Sequence, residues 1–127
     1  MGAWGIGVFE NDDAMDFIGD LDEDPKWSRV EVALKAVAGR RDYVEAWEAS
    51  IAFAAAAIVS KALPDDYQQI GFALRDPPDA YVQLALQVLD RITGAESELL
   101  ELWEEAGDTA EFLAEVHTVR QHLRPLT

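Results

Sequence analysis

The sequence predicts an all-α protein, a compact single-domain bundle of about six helices behind an irregular N-terminal segment of glycines and aromatics. Three observations carry that expectation. Apolar residues recur at intervals of three and four along most of the chain, residues that cap or break helices separate the periodic stretches, and no stretch alternates as a half-buried strand would. The length of 127 residues fits one domain and lets about two-thirds of the unfolded chain's surface be buried. No repeat, low-complexity run or linker divides the chain, so a single domain over 1–127 is expected.

Each element follows from local chemistry. Asn11 or Asp12 can cap a first short helix whose apolar positions are Ala14, Phe17, Ile18 and Leu21. Asp24 followed by Pro25 reads as an N-cap with proline at the first helical position. It opens a second helix with Trp27, Val30, Ala33, Leu34 and Val37 on one face, ended by Gly39. Asp42 with Glu45 resembles a capping box for a third helix running through Ala62. Ile51 to Val59 is apolar on every side, which predicts a central helix surrounded by the others.

After Pro64, the stretch Asp65 to Asp79 reads as the longest irregular connection, broken by Gly71 and Pro77-Pro78, with room for one short turn around Tyr67 to Ile70. Asp79 caps a largely buried fourth helix through Ile92. Thr93 and Glu96 form a capping-box candidate for a fifth, with Leu99, Leu100 and Trp103 inward and Gly107 closing it. Asp108 and Glu111 repeat the device for a sixth, striped by Phe112, Leu113, Val116, Val119 and Leu123.

Composition excludes several chemistries. There is no cysteine, which removes disulfides, thiolate nucleophiles and thiolate zinc sites. The N-terminus has no positive region before its apolar residues and does not read as a secretory signal, and Ala49 to Ser60 is too short to cross a bilayer. A cytoplasmic location is the expectation. The net charge is -15, unevenly spread: residues 1–25 hold eight acids and no base, whereas 26–41 hold five bases against Glu31 alone. Such a chain repels nucleic acid and anionic membrane and favours a basic partner.

Few constellations suggest a reaction. Asp20, Asp22, Asp24 and Glu31 stand at positions 1, 3, 5 and 12 of a calcium loop, but the sixth position, which needs glycine, is Pro25. They remain weak metal candidates. His117 and His122 are five apart, about 140° around a helix, so they are poorly placed to share an ion, and His117, beside Val116, reads as partly buried. Ser28, Ser50, Ser60 and Ser97 lie in or beside helices, without a nucleophile elbow. No catalytic residue and no cofactor is nominated.

The opening segment is the densest motif. Gly5 and Gly7 supply backbone freedom for an extended hook, Trp4 and Phe9 anchor it on the bundle, and Asn11 caps the helix that follows. Asp12, Asp13 and Asp16 form an acidic edge, a candidate binding surface. The run Trp4-Gly5-x-Gly7-x-Phe9-x-Asn11-Asp12-x-Ala14-x-Asp16 resembles the hallmark start of the domain of unknown function 4259 family, small bacterial proteins, with the alanine-rich central helix and Leu102 to Glu105 also similar. The resemblance implies one helical domain and no assigned activity. The family pattern places a glutamate near the end of the alanine run, where this chain has Ala55 to Ala57.

The leading functional expectation is a non-catalytic acidic helical protein that binds a basic protein partner, as immunity proteins cover cationic nucleases. The alternatives are a divalent-metal-dependent enzyme built on carboxylates and a helical scaffold that homodimerises through apolar faces.

Overall fold

The structure is a computed structural model that describes residues 5, 7–61 and 63–126. Among them lie seven α-helices and no strand: α1 (Asp12–Glu23), α2 (Trp27–Lys35), α3 (Ala46–Ser60), α4 (Gln68–Leu74), α5 (Asp79–Ile92), α6 (Glu98–Ala106) and α7 (Thr109–Leu123). Short 3-10 turns precede α4 and follow α7.

The central helix is α3, and its sequence explains why. From Ala52 to Ser60 every residue is buried, because small side chains on all faces let neighbouring helices approach closely from several directions. It packs against α1, α2, α5, α6 and α7, most extensively against α5. Where α3 carries a larger group, Phe53, it meets Phe112 of α7 edge-on at 6.0 Å between ring centroids. Ala55 to Ala57, at the end of the alanine run, are wholly enclosed. A carboxylate there would lose its hydration.

Helix starts depart from the local reading at several points. Asn11 does cap α1, accepting the Ala14 N–H at 2.8 Å. The helix α2, however, begins only at Trp27. Asp24 instead ends α1 and pairs with Lys26 at 3.3 Å and Arg29 at 3.1 Å, so two cations claim the carboxylate that was expected to cap. The helix α3 begins at Ala46, later than Asp42 predicts, since Asp42 is turned to Arg40 at 2.7 Å and Val44 is drawn into a parallel bridge with Ser97. Whether α3 reaches Ala62 lies outside the described residues. The cap of α6 is Ser97, not Thr93, whose hydroxyl donates to Leu89 O at 2.8 Å. Asp108 stands at the start of α7 without a side-chain cap hydrogen bond.

The stretch read as irregular holds α4. Ile70 and Leu74, four apart, bury one face of it, and the Trp27 indole N–H donates to Leu74 O at 2.6 Å. Leu113, expected inward, and His117, expected partly buried, are exposed, as the narrow buried stripe of α7 is Phe112, Val116, Val119 and Leu123.

Two arginines close the end of the bundle where α2 turns into α3 and α5 into α6. Arg91 donates to four carbonyls, those of Arg40 (2.8 Å), Ala95 (2.7 Å), Asp42 and Glu96 (3.3 Å). Arg40 binds Asp42, Glu48, Ala36 O and Tyr43 O. Beside them Val44 exchanges backbone hydrogen bonds with Glu96 and Glu98 at 2.9 and 3.0 Å. This junction fixes the first turn of α3, including Trp47, against α2.

Candidate functional site

The N-terminal hook is held by a residue the sequence reading passed over. The Gly7 N–H donates to the Glu10 carboxylate at 3.0 Å, and the Glu10 N–H returns to Gly7 O at 3.0 Å. That carboxylate fills the space where a side chain on Gly5 or Gly7 would stand. The two glycines thus serve close approach. The Gly7-x-x-Glu10 spacing was the available signal. Phe9 is buried against Tyr67, 5.2 Å between ring centroids, which anchors the hook to the turn before α4. Trp4 lies outside the described residues.

Past this hook, α1 presents its acids. Asp12 and Asp16 are exposed and Asp13 is half-buried, beside a cavity of about 40 Å³ shared with Trp103 and Phe112, too small for more than water. Asp16 and Asp20, four apart, are neighbours on one side of the helix. None of the α1 acids stands in an ion pair among the described residues.

The weak metal candidates are not brought together. Asp24 is occupied by Lys26 and Arg29, the Arg29 hydrogen bond foremost in holding its carboxyl below the usual range. Glu31 pairs with Lys35 at 3.7 Å and faces the Tyr81 hydroxyl, which burial first, and then Glu31, push above its ordinary pKa. Among the described residues, no three His, Asp or Glu side chains converge as a metal site.

What periodicity did not reveal is a groove of about 490 Å³ between α1, α2 and α3. Phe17 and Asp20 come from α1, Arg29, Val32 and Ala33 from α2, Ala36 from its C-cap, and Trp47, Glu48 and Ile51 from α3. Val32 is 70% exposed and Trp47 52% exposed, so the groove is apolar surface left open to solvent. Trp47 is steadied at its edge by an indole hydrogen bond to Glu45 at 2.9 Å. Three cations of this region are already spent inside the molecule: Arg29 on Asp24, Lys35 on Glu31, Arg40 on Asp42 and Glu48. The acids of α1 have no such partners among the described residues, so the groove sits beneath a negative rim.

Neither the curated proteins nor the solved structures hold a match to this chain. Residues 2–115 match the sequence model described as domain of unknown function, DUF4259. That span runs from the glycine hook through the first half of α7 and takes in the acidic edge and all three walls of the groove, and the chain belongs to the DUF4259 family.

Proposed function

We propose that this protein is a non-catalytic interaction protein that covers a basic protein partner with its acidic helical surface. The observation that carries the reading is the asymmetry of pairing around α1 and α2. Of the five bases between 26 and 41, four, Lys26, Arg29, Lys35 and Arg40, are each engaged by a neighbouring acid, whereas the acids on α1 have no ion-pair partner among the described residues. Unpaired like charge on one helix costs little in water, and its field speeds encounter with a cationic surface.

The test is affinity capture from the native host on the immobilised protein, eluted with a salt gradient, beside a variant carrying Asp13→Asn, Asp16→Asn and Asp20→Asn. The expected result is a basic protein, identified by mass spectrometry, released by salt and bound more weakly by the variant. Retention only of neutral or acidic proteins, or retention unaffected by salt and by the variant, would overturn the reading.

A further inference from the structure

Resting on that reading, we infer that the groove between α1, α2 and α3 receives an amphipathic helix of the partner, apolar residues in the groove and lysines or arginines against α1. The groove's volume of about 490 Å³ is that of a concave ligand site, about 300–1,000 Å³, room enough for several apolar side chains. Its floor and walls are apolar where they are most exposed, at Val32 and Trp47. An exposed tryptophan beside an open apolar surface is the residue type that most often dominates binding energy at interfaces.

The secondary structure of the site selects the form of the ligand. The described residues contain no strand, so they present no sheet edge on which an extended peptide could add main-chain hydrogen bonds. A groove between helices is matched by side chains at i, i+3, i+4 and i+7 of a helix laid along it. Charge complementarity sets the flanks. Asp16 and Asp20 lie on one side of α1, Asp20 in the groove wall itself, whereas Arg29 and Arg40 are neutralised by Asp24, Asp42 and Glu48. A cationic helix therefore meets acids that are unpaired among the described residues, without displacing an internal pair. A second copy of this chain, at -15 itself, would bring like charge to the same rim.

The probe is a synthetic helical peptide of leucine and lysine with its leucines on one face, compared with an analogue in which every lysine is glutamate. Binding is measured by calorimetry and mapped by amide and indole NMR shifts on the full chain. The expected result is binding of the lysine peptide with shifts centred on Val32, Trp47 and Ile51. The glutamate analogue should show no binding, and Val32→Glu and Trp47→Ser should each weaken the lysine peptide about tenfold or more. Phe72→Ser, at an exposed position on α4, serves as the control and should leave affinity unchanged.

If the lysine peptide binds and is weakened by Asp16→Lys and Asp20→Lys but is indifferent to Val32→Glu and Trp47→Ser, the groove assignment fails while the acidic-surface reading stands. If the glutamate analogue binds as tightly as the lysine peptide, or neither binds, both fail. Concentration-dependent dimers that disappear in Val32→Glu would give the groove to a second copy and also overturn the inference.

Discussion

The junction closed by Arg91 and the groove edged by Trp47 are neighbours at the first turn of α3, yet they solve opposite problems. At the junction, carbonyls left over where two pairs of helices turn are gathered by guanidinium groups, Arg91 taking those of Arg40, Asp42, Ala95 and Glu96. Polar groups there have their partners inside the chain. In the groove, apolar side chains from three helices are left without cover, Val32 at 70% exposure and Trp47 at 52%. Under the proposed reading one helix turn carries both stability and recognition, Glu48 lining the groove while it binds Arg40 at the junction, and recognition falls to the exposed Val32 and Trp47. Substitution at the junction should change folding, and substitution in the groove should change only what the protein binds.

The largest effect should follow Arg91→Ala. It removes a cation and four hydrogen bonds, that to the Arg40 carbonyl half-buried and the other three exposed, a loss of about 2–3 kcal/mol in urea unfolding. A change below 0.5 kcal/mol would show that the junction is held by packing alone. Ala55→Leu forces a larger group into the fully enclosed middle of α3 and should cost about 1–3 kcal/mol through overpacking. Next comes Asn11→Ala, which deletes the α1 cap to Ala14 and should cost about 1 kcal/mol. In sharp contrast, Val32→Glu should lie within about 0.5 kcal/mol of the parent, since it replaces an exposed side chain on a helix surface. A large destabilisation would make Val32 part of the fold and break the contrast.

The smallest effect concerns pH. Asp24 is held below the ordinary carboxylate range chiefly by Arg29, and Asp42 chiefly by Arg40. A depressed folded-state pKa means that the contribution is present above the unfolded value near 3.8 and is lost as pH falls through the folded value. Both carboxylates are exposed to water, which screens the pairs. Asp42→Asn should therefore leave neutral stability nearly unchanged and make the decline below about pH 4 slightly shallower. A steeper decline in the variant would contradict the assignment of that pair.

How far the sequence disclosed this molecule follows the reach of the interactions. Local devices were legible: the Asn11 cap, the C-terminal Gly107, whose positive φ of 79° glycine tolerates, and the apolar run that makes α3 central. What failed was decided by competing partners, some close in the chain and others distant. Asp42 is a plausible cap until Arg40 claims it, and Val44 leaves the helix because Ser97 lies beside it. The helix α4 hides behind Gly71 and the prolines, and is fastened by Trp27, 47 positions from the carbonyl it binds. The acidic edge of α1 was legible as a helix start rich in aspartate. The groove was not, because Phe17, Val32 and Trp47 come from three helices, and periodicity assigns each apolar residue an inside without saying whether anything covers it.

The most direct test of the contrast is one calorimetric titration of the lysine–leucine helical peptide into the parent protein and into Val32→Glu, both confirmed folded by the same urea midpoint. The groove assignment predicts micromolar binding to the parent and a loss of about tenfold or more in the variant. Equal affinity for the two proteins would contradict it.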